Sequence, residues 1–237
     1  MSYSPHSTPT VALLHGAGYV GGELIELLLA HPDVVLGAVT SRTFAGQPVW
    51  QAHPHLRGQT GLAFTDPDAL DLAPVDALLV ASEHGQSAHA IPGLLEAGFD
   101  GKVVDLSADF RYADPTLYET WFDYTHPAPE WIDAFVYGIP EINGPYAPDQ
   151  QFVANPGCYA TGITCALWPL ARLDQPIQAS VTALTGASGS GARPSSATHF
   201  PTRDGNVRAY KVLAHQHTPE IQQTLGEHVD LAFAPAS

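Results

Sequence analysis

The chain is short of positive charge. Its 237 residues hold nine lysines and arginines against 24 aspartates and glutamates, a formal net charge of −15. A nucleic-acid binder needs a basic face to displace counterions from phosphates, so that class is disfavoured, and a polybasic membrane anchor with it. Cysteine is nearly absent. Only Cys158 and Cys165 occur, and a seven-residue separation on one helix sets them two turns apart, beyond disulfide reach. Two unpaired thiols suit a reducing, cytoplasmic compartment. Long hydrophobic runs are missing: no stretch approaches the ~20 apolar residues of a membrane span. Met1 to Thr10 has no basic residue ahead of its first apolar run, which argues against a secretory signal. No internal repeat or low-complexity tract stands out. Apolar residues make up 45% and charged residues 14%, a globular rather than a disordered profile. Histidine is the exception among basic residues: twelve outnumber the nine fixed cations, so the charge changes steeply below roughly pH 6.5.

What is present begins as strand, glycine turn, helix, strand. Thr10–His15 is a short apolar run, followed by Gly16-Ala17-Gly18-Tyr19-Val20-Gly21-Gly22. A helical pattern then places Leu24, Leu27 and Leu28 at i, i+3 and i+4 and ends near His31-Pro32, and Val34–Thr40 is a second apolar run rich in β-branched residues. This βαβ unit implies a parallel sheet with a right-handed crossover. Asp76–Ala81 and Lys102–Leu106 read as further buried strands, separated by helical stretches such as Ser87–Ala97. The first ~105 residues are therefore predicted to be a doubly wound α/β layer structure.

From Asp109 to Asn155 the pattern breaks into short pieces rich in Pro, Tyr and Trp, which predicts loops and short helices. A helix is expected from Cys158 to about Ala171, a strand at Ser180–Leu184, a Gly/Ser-rich loop over Thr185–Arg193 and a strand at Leu231–Ser237, with the helix or strand that would close the second unit expected to be missing. Thr218-Pro219-Glu220 reads as a helix start, with Thr218 as N-cap and Pro219 as first helical residue.

Three places carry chemistry. Gly16-x-Gly18-x-x-Gly21 stands between a predicted strand and helix, where glycines permit a tight turn and close approach of a pyrophosphate to the helix N-terminus. Tyr19 and Val20 lie inside that turn and count with it as cofactor contacts. The second strand ends Val39-Thr40-Ser41-Arg42-Thr43. It lacks the acid that receives the ribose 2′-hydroxyl of NAD; Ser41, Arg42 and Thr43 suit a 2′-phosphate, so NADP(H) is the expected cofactor. Cys158 follows Asn155-Pro156-Gly157 at a helix start, where unpaired N–H groups and the helix dipole favour a thiolate. Cys165, deeper in the same helix, reads as core.

His215-x-His217 precedes the expected cap, and either histidine could serve as the acid/base partner of a cysteine nucleophile. A metal reading of these residues with His199, His53 and His55 finds no HExxH or paired CxxC to support it, so no metal is expected. A phosphorylated substrate needs local cations. Arg208 and Lys211 flank the histidine pair and Arg111 follows a predicted strand end, which makes them the substrate-anion candidates.

These residues carry a resemblance. Gly16–Gly21, Asp105-Leu106-Ser107-Ala108-Asp109-Phe110-Arg111, Val136-Tyr137-Gly138-Ile139-Pro140-Glu141, Asn155–Thr161, Ser188–Arg193, Tyr210-Lys211 and His215–Ile221 together resemble N-acetyl-γ-glutamyl-phosphate reductase, in order, from about residue 10 onward. The resemblance implies a Rossmann domain, assigned to residues 1–155, and an α+β catalytic and oligomerisation domain, assigned to residues 156–237. It implies NADPH-dependent reduction of an acyl phosphate to a semialdehyde in arginine biosynthesis, with Cys158 as nucleophile and His217 as acid/base. Ser188, Gly189 and Gly191 would approach the nicotinamide; Arg111, Asn155, Arg208 and Lys211 would form the substrate side.

The chain departs from the family pattern. His15 stands where the family often has glycine, and Ser82-Glu83 where Leu-Pro precedes His84-Gly85. The family's catalytic domain also continues past the equivalent of Ser237, so the second domain is expected to be incomplete. Ser41–Gly46 and His53–Gly58 also resemble the branch that reduces aminoadipyl phosphate on an acidic carrier protein in lysine biosynthesis. A net charge of −15 would repel such a carrier, and Asn155–Tyr159 looks more like the arginine branch. The non-enzyme alternative is a truncated dinucleotide-binding module.

Overall fold

The computed structural model describes residues 8–173 and 175–237. They cluster into two compact units. The first runs to Ser107 and takes in Asp149–Val153; the second comprises Ala108–Pro148 and Ala154–Ser237. Residues 108–148, expected with the first domain, thus cluster with the second unit.

The first unit is built from β1 (Thr10–Leu14), α1 (Tyr19–Ala30), β2 (Val35–Thr40), β3 (Phe64–Thr65), β4 (Ala77–Val80), α2 (Ser87–Glu96) and β5 (Lys102–Asp105). The strands run β3-β2-β1-β4-β5 and then meet a later strand, with every pair parallel from β3 to β5. The order reverses direction between β1 and β4, and the carboxyl ends of strands at such a switch point form the ligand crevice of an open α/β sheet. Leu13, Val39 and Phe64 from the sheet, Ile25 from α1, and Val49 and Leu56 from the β2–β3 connection form one buried cluster. Leu27, expected on the apolar face of α1, is instead 66% exposed. Ile25 takes the buried side, with Leu24 and Leu28 packed beside it, which leaves Leu27 round the helix from the sheet.

The second unit begins with aromatic packing. α3 (Leu117–Phe122), β6 (Phe135–Tyr137) and α4 (Pro140–Asn143) are short. Phe110 and Phe135 stack at 4.0 Å, and the Tyr118 hydroxyl donates to the Ala108 carbonyl while accepting from the Tyr112 N–H. The chain returns through β7 (Phe152–Ala154), whose first two residues close the first unit. Then follow α5 (Cys158–Ala171), β8 (Ile177–Leu184), α6 (Phe200–Arg203), α7 (His217–Leu225) and β9 (Val229–Ala236). β8 and β9 pair in parallel along their whole length, Ile177 opposite Val229 to Leu184 opposite Ala236. Ile163 of α5, Ile221 and Leu225 of α7 and Phe233 of β9 share one core. Alternation along β8 turns Gln178, Ser180, Thr182 and Leu184 to the exposed face.

One expected boundary is corrected. α7 starts at His217 with Gln216 as its N-cap, so Thr218 and Pro219 lie inside the first turn. The His217 N–H that Thr218 would have left outside the helix donates to Nδ1 of His215. An imidazole two residues back therefore makes the turn that a threonine hydroxyl was expected to make, and the Thr218 hydroxyl is buried without a hydrogen-bond partner among the described residues.

Candidate active site

The glycine loop of the first unit leaves β1 at its carboxyl end. His15 takes a left-handed φ of 58°, a conformation glycine reaches without strain. Its N–H donates to the Thr40 hydroxyl at 3.0 Å, tying the loop to the end of β2. A Cβ on Gly21 would lie 2.2 Å from the Gly16 carbonyl oxygen, so only glycine lets α1 start against the loop. The N-cap, Gly18, offers no side-chain cap to the first turn, and Tyr19 and Val20 are exposed. An uncapped helix start at a switch point is the setting that receives a pyrophosphate. These residues fit a dinucleotide.

His53 supports the loop from beneath. It is 4% exposed, its Nε2 lies 2.7 Å from the Gly16 carbonyl oxygen, and its ring fills the space a Cβ on Gly22 would need. Burial, opposed by the bond to Gly16, holds its pKa below the ordinary value.

At the end of β2, Ser41 is buried and its hydroxyl accepts from the Phe44 N–H, while Arg42 and Thr43 are exposed. Arg42 is already engaged. Its guanidinium donates to both Asp68 carboxylate oxygens, at 2.7 and 2.9 Å, with Asp66 at 3.9 Å. Both carboxylates come from the turn after β3.

The second unit brings the starts of α5 and α7 together. Cys158 is the first residue of α5 and exposed; Cys165, read as core, is half-buried. A cavity of about 370 Å³ lies beside the thiol residue, walled by Tyr159, Ile163, Leu167 and Val181 among others. Glu220 is the organising group. It is 1% exposed, and its Oε1 accepts from the Gly157 N–H at 2.7 Å and the Tyr137 hydroxyl at 2.8 Å. Its Oε2 lies 3.6 Å from Nη1 of Arg111 and 3.9 Å from Nε2 of His217. Arg111 Nε donates to the Asn155 carbonyl at 2.7 Å. One buried carboxylate thus joins the residue before the cysteine to the histidine. Burial and the Glu220 charge push the Tyr137 phenol far up, so it stays protonated and donates to Glu220.

The two histidines separate by environment. His215 sits among the rings of Tyr159, Tyr210 and Phe233. Burial first, then His217 and Lys211, lower its pKa to about 4, so it is neutral at physiological pH and holds the backbone turn. His217 has the carboxylate, and its Nε2 would be 2.1 Å from a Cβ on Gly157, which sets it directly against the turn that presents Cys158.

The other expected residues make contacts of their own. Ser188 and Gly189 lie in an exposed 3-10 turn after β8, closed by Gly191 at a φ of 80°. Arg208 exchanges backbone hydrogen bonds with Ser237 and has an exposed side chain. Lys211 Nζ donates to the Gln216 side chain at 3.0 Å. The Asn155 side chain donates to the Pro156 carbonyl.

Sequence reasoning missed the roles of Glu220, Tyr137, His53 and Asp68. The signal for Glu220 was its i, i+3 spacing from His217 on one helix face; for Asp68, 26 residues from Arg42, there was none.

Among the described residues no helix is long and apolar enough to cross a membrane, and no group of three or more His, Cys, Asp or Glu side chains could hold a metal ion. Residues 10–149 match the model of the semialdehyde dehydrogenase NAD-binding domain, and residues 158–237 that of the semialdehyde dehydrogenase dimerisation domain. A putative LysW-L-2-aminoadipate 6-phosphate reductase of Thermomicrobium roseum is 42% identical over 219 residues, 91% of this chain and 61% of the relative. An N-acetyl-gamma-glutamyl-phosphate reductase of Rubrobacter xylanophilus is 43% identical over 235 residues, 95% of this chain and 67% of the relative. The chain thus spans about two thirds or less of the length of these two curated relatives. Among solved structures, aspartate semialdehyde dehydrogenase II of Vibrio cholerae aligns with a TM-score of 0.70 at 16% identity, over 97% of this chain and 70% of that one. That likeness is one of fold.

Proposed function

The chain belongs to the semialdehyde dehydrogenase family, and from that premise we propose that it reduces N-acetyl-γ-glutamyl phosphate to the semialdehyde, with release of phosphate, by way of a thioester on Cys158. The observation that carries this reading is Glu220, which binds the Gly157 N–H and faces His217 from within 4.0 Å. A buried carboxylate and a histidine thus meet at the turn that precedes an exposed thiol at a helix start.

His217 takes the Cys158 proton, and the resulting imidazolium faces the Glu220 carboxylate. The Cys158 sulfur attacks the acyl-phosphate carbonyl; a C–S bond forms, the C–O bond to phosphorus's oxygen breaks, and inorganic phosphate leaves with the electron pair. NADPH, when bound, supplies hydride to the thioester carbonyl carbon. His217 gives its proton to the oxygen of the thiohemiacetal and takes it back as the C–S bond breaks, which frees the aldehyde and restores the thiolate–imidazolium pair. Gly16, Gly18, Tyr19, Val20 and Gly21 would hold the pyrophosphate, Ser41, Arg42 and Thr43 the 2′-phosphate, and Ser188, Gly189 and Gly191 the nicotinamide end. Arg111 and Asn155 brace Glu220 and the cysteine turn, and Arg208 and Lys211 are the exposed cations for substrate anions. The full-length protein would be a cytoplasmic homo-oligomer through the dimerisation domain, with no nucleic-acid or membrane partner.

The test is the reverse reaction on the whole chain with N-acetylglutamate semialdehyde, phosphate and NADP⁺. Phosphate-dependent NADPH formation that is lost in Cys158→Ser supports the reading. Turnover retained in Cys158→Ser sinks the thioester. Turnover only with a carrier-linked aminoadipyl or glutamyl semialdehyde moves the substrate to the branch named for the Thermomicrobium relative.

A further inference from the structure

The structure assigns Asp68 as the residue that sets coenzyme discrimination, by competing with the ribose 2′-phosphate for Arg42 and by offering the 2′-hydroxyl of the non-phosphorylated coenzyme an acceptor. The inference rests on the reading of the β2 end as the adenosine-ribose site.

In an open α/β sheet, the end of the second strand faces that ribose, and an acid there selects the 2′-hydroxyl while an arginine selects the 2′-phosphate. This chain presents both, from different segments. Arg42 follows β2. Asp66 and Asp68 follow β3, which pairs in parallel with β2 through Val39 opposite Phe64 and Thr40 opposite Thr65, so the two chain ends emerge side by side. Ser41 N–H donates to the Thr65 carbonyl and continues the pairing up to the arginine. The Asp66 side chain accepts from the Asp68 N–H, which orients the turn and its second carboxylate.

The result is a bidentate fork, Nη1 to Oδ2 at 2.7 Å and Nη2 to Oδ1 at 2.9 Å. This is the geometry a guanidinium also offers a phosphate. Both partners are well exposed, 61% for the Arg42 side chain and 72% for Asp68. Water screens such a pair, and it exchanges readily for a stronger anion. A 2′-phosphate must displace Asp68 and then tolerate two carboxylates close by. A 2′-hydroxyl needs no displacement and finds an ionised acceptor, since Arg42 holds the Asp68 carboxyl below its ordinary range.

The experiment measures dissociation constants of NADPH and NADH on the whole chain, by quenching of tryptophan fluorescence, for the native protein, Asp68→Asn and Arg42→Ala. Asparagine keeps the size of the side chain at an exposed position, so folding is retained. Asp68→Asn is expected to tighten NADPH by up to about fivefold, the scale of an exposed ion pair, and to weaken NADH, so the ratio of the two constants rises. Arg42→Ala is expected to bring that ratio down. Equal tightening of both coenzymes in Asp68→Asn, or no change in either, overturns the assignment of Asp68. An unchanged ratio in Arg42→Ala overturns the underlying placement of the 2′-phosphate as well.

Discussion

A single methyl group tests the coupling of the two helix starts. Gly157 has φ −68° and ψ 154°, a backbone that alanine adopts without strain, so Gly157→Ala acts through space alone. Its Cβ would lie 2.1 Å from His217 Nε2 and 2.7 Å from both Cδ2 and Cε1, where ordinary contact begins at 3.4 Å. The imidazole must therefore retreat by 3.4 − 2.1 = 1.3 Å. It has little room: the His215 ring is at 4.7 Å, the Tyr159 ring at 5.9 Å, and Glu220 is fixed by Gly157 and Tyr137. Overpacking of this kind costs about 1–3 kcal/mol of stability, and a displacement of about 1 Å in a positioned catalytic group costs about 100-fold in rate. The assay pairs kcat of the reverse reaction with the rate of Cys158 alkylation by iodoacetamide as a function of pH. Loss of turnover, a shifted alkylation profile and an unchanged NADPH dissociation constant are expected, because the glycine loop belongs to the other unit. A Gly157→Ala protein with native turnover and a native alkylation profile would refute the placement of His217 against the cysteine turn.

Further outcomes follow from the same geometry. Glu220→Gln breaks the buried Glu220–Arg111 pair, and equilibrium urea unfolding should register a loss of about 3 kcal/mol; a change below about 1 kcal/mol would show that the pair is not desolvated. His215 is held near pKa 4 against 6.5 in the unfolded chain, so the unfolded state takes up the extra proton between those values. Its contribution is whole above pH 6.5 and is lost as pH falls to about 4, a total of about 3 kcal/mol. Unfolding measured against pH should lose that segment of slope in His215→Asn; an identical slope would contradict the burial argument. His53→Ala removes the donor to the Gly16 carbonyl, and dinucleotide affinity should fall about tenfold, with partial recovery in His53→Gln; equal affinities in all three proteins would mean that His53 does not hold the loop.

Much of this was legible in the residues themselves. β-branched runs and a glycine turn with no room for a Cβ at Gly21 specify the first βαβ unit locally. Gly157 and Cys158 announce the start of α5 because proline and glycine end the preceding segment. What was not legible depends on contacts distant in sequence. Glu220 reads locally as an acid in a first helical turn; its role exists only because α7 meets the start of α5, 63 residues away. Thr218 has the strongest local capping signal, yet the His215 imidazole makes the turn first. Asp68 reaches Arg42 only through the β2–β3 pairing. β6 and β7, three residues each, are too short for a period of two to show.

The central claim is covalent catalysis at Cys158, and intact-protein mass spectrometry after mixing the chain with N-acetyl-γ-glutamyl phosphate, without NADPH, tests it most directly. The account predicts an adduct of one N-acetylglutamyl group on Cys158, discharged by added NADPH and absent in Cys158→Ser. Phosphate release and aldehyde formation with no adduct, or an adduct that persists in Cys158→Ser, would contradict it.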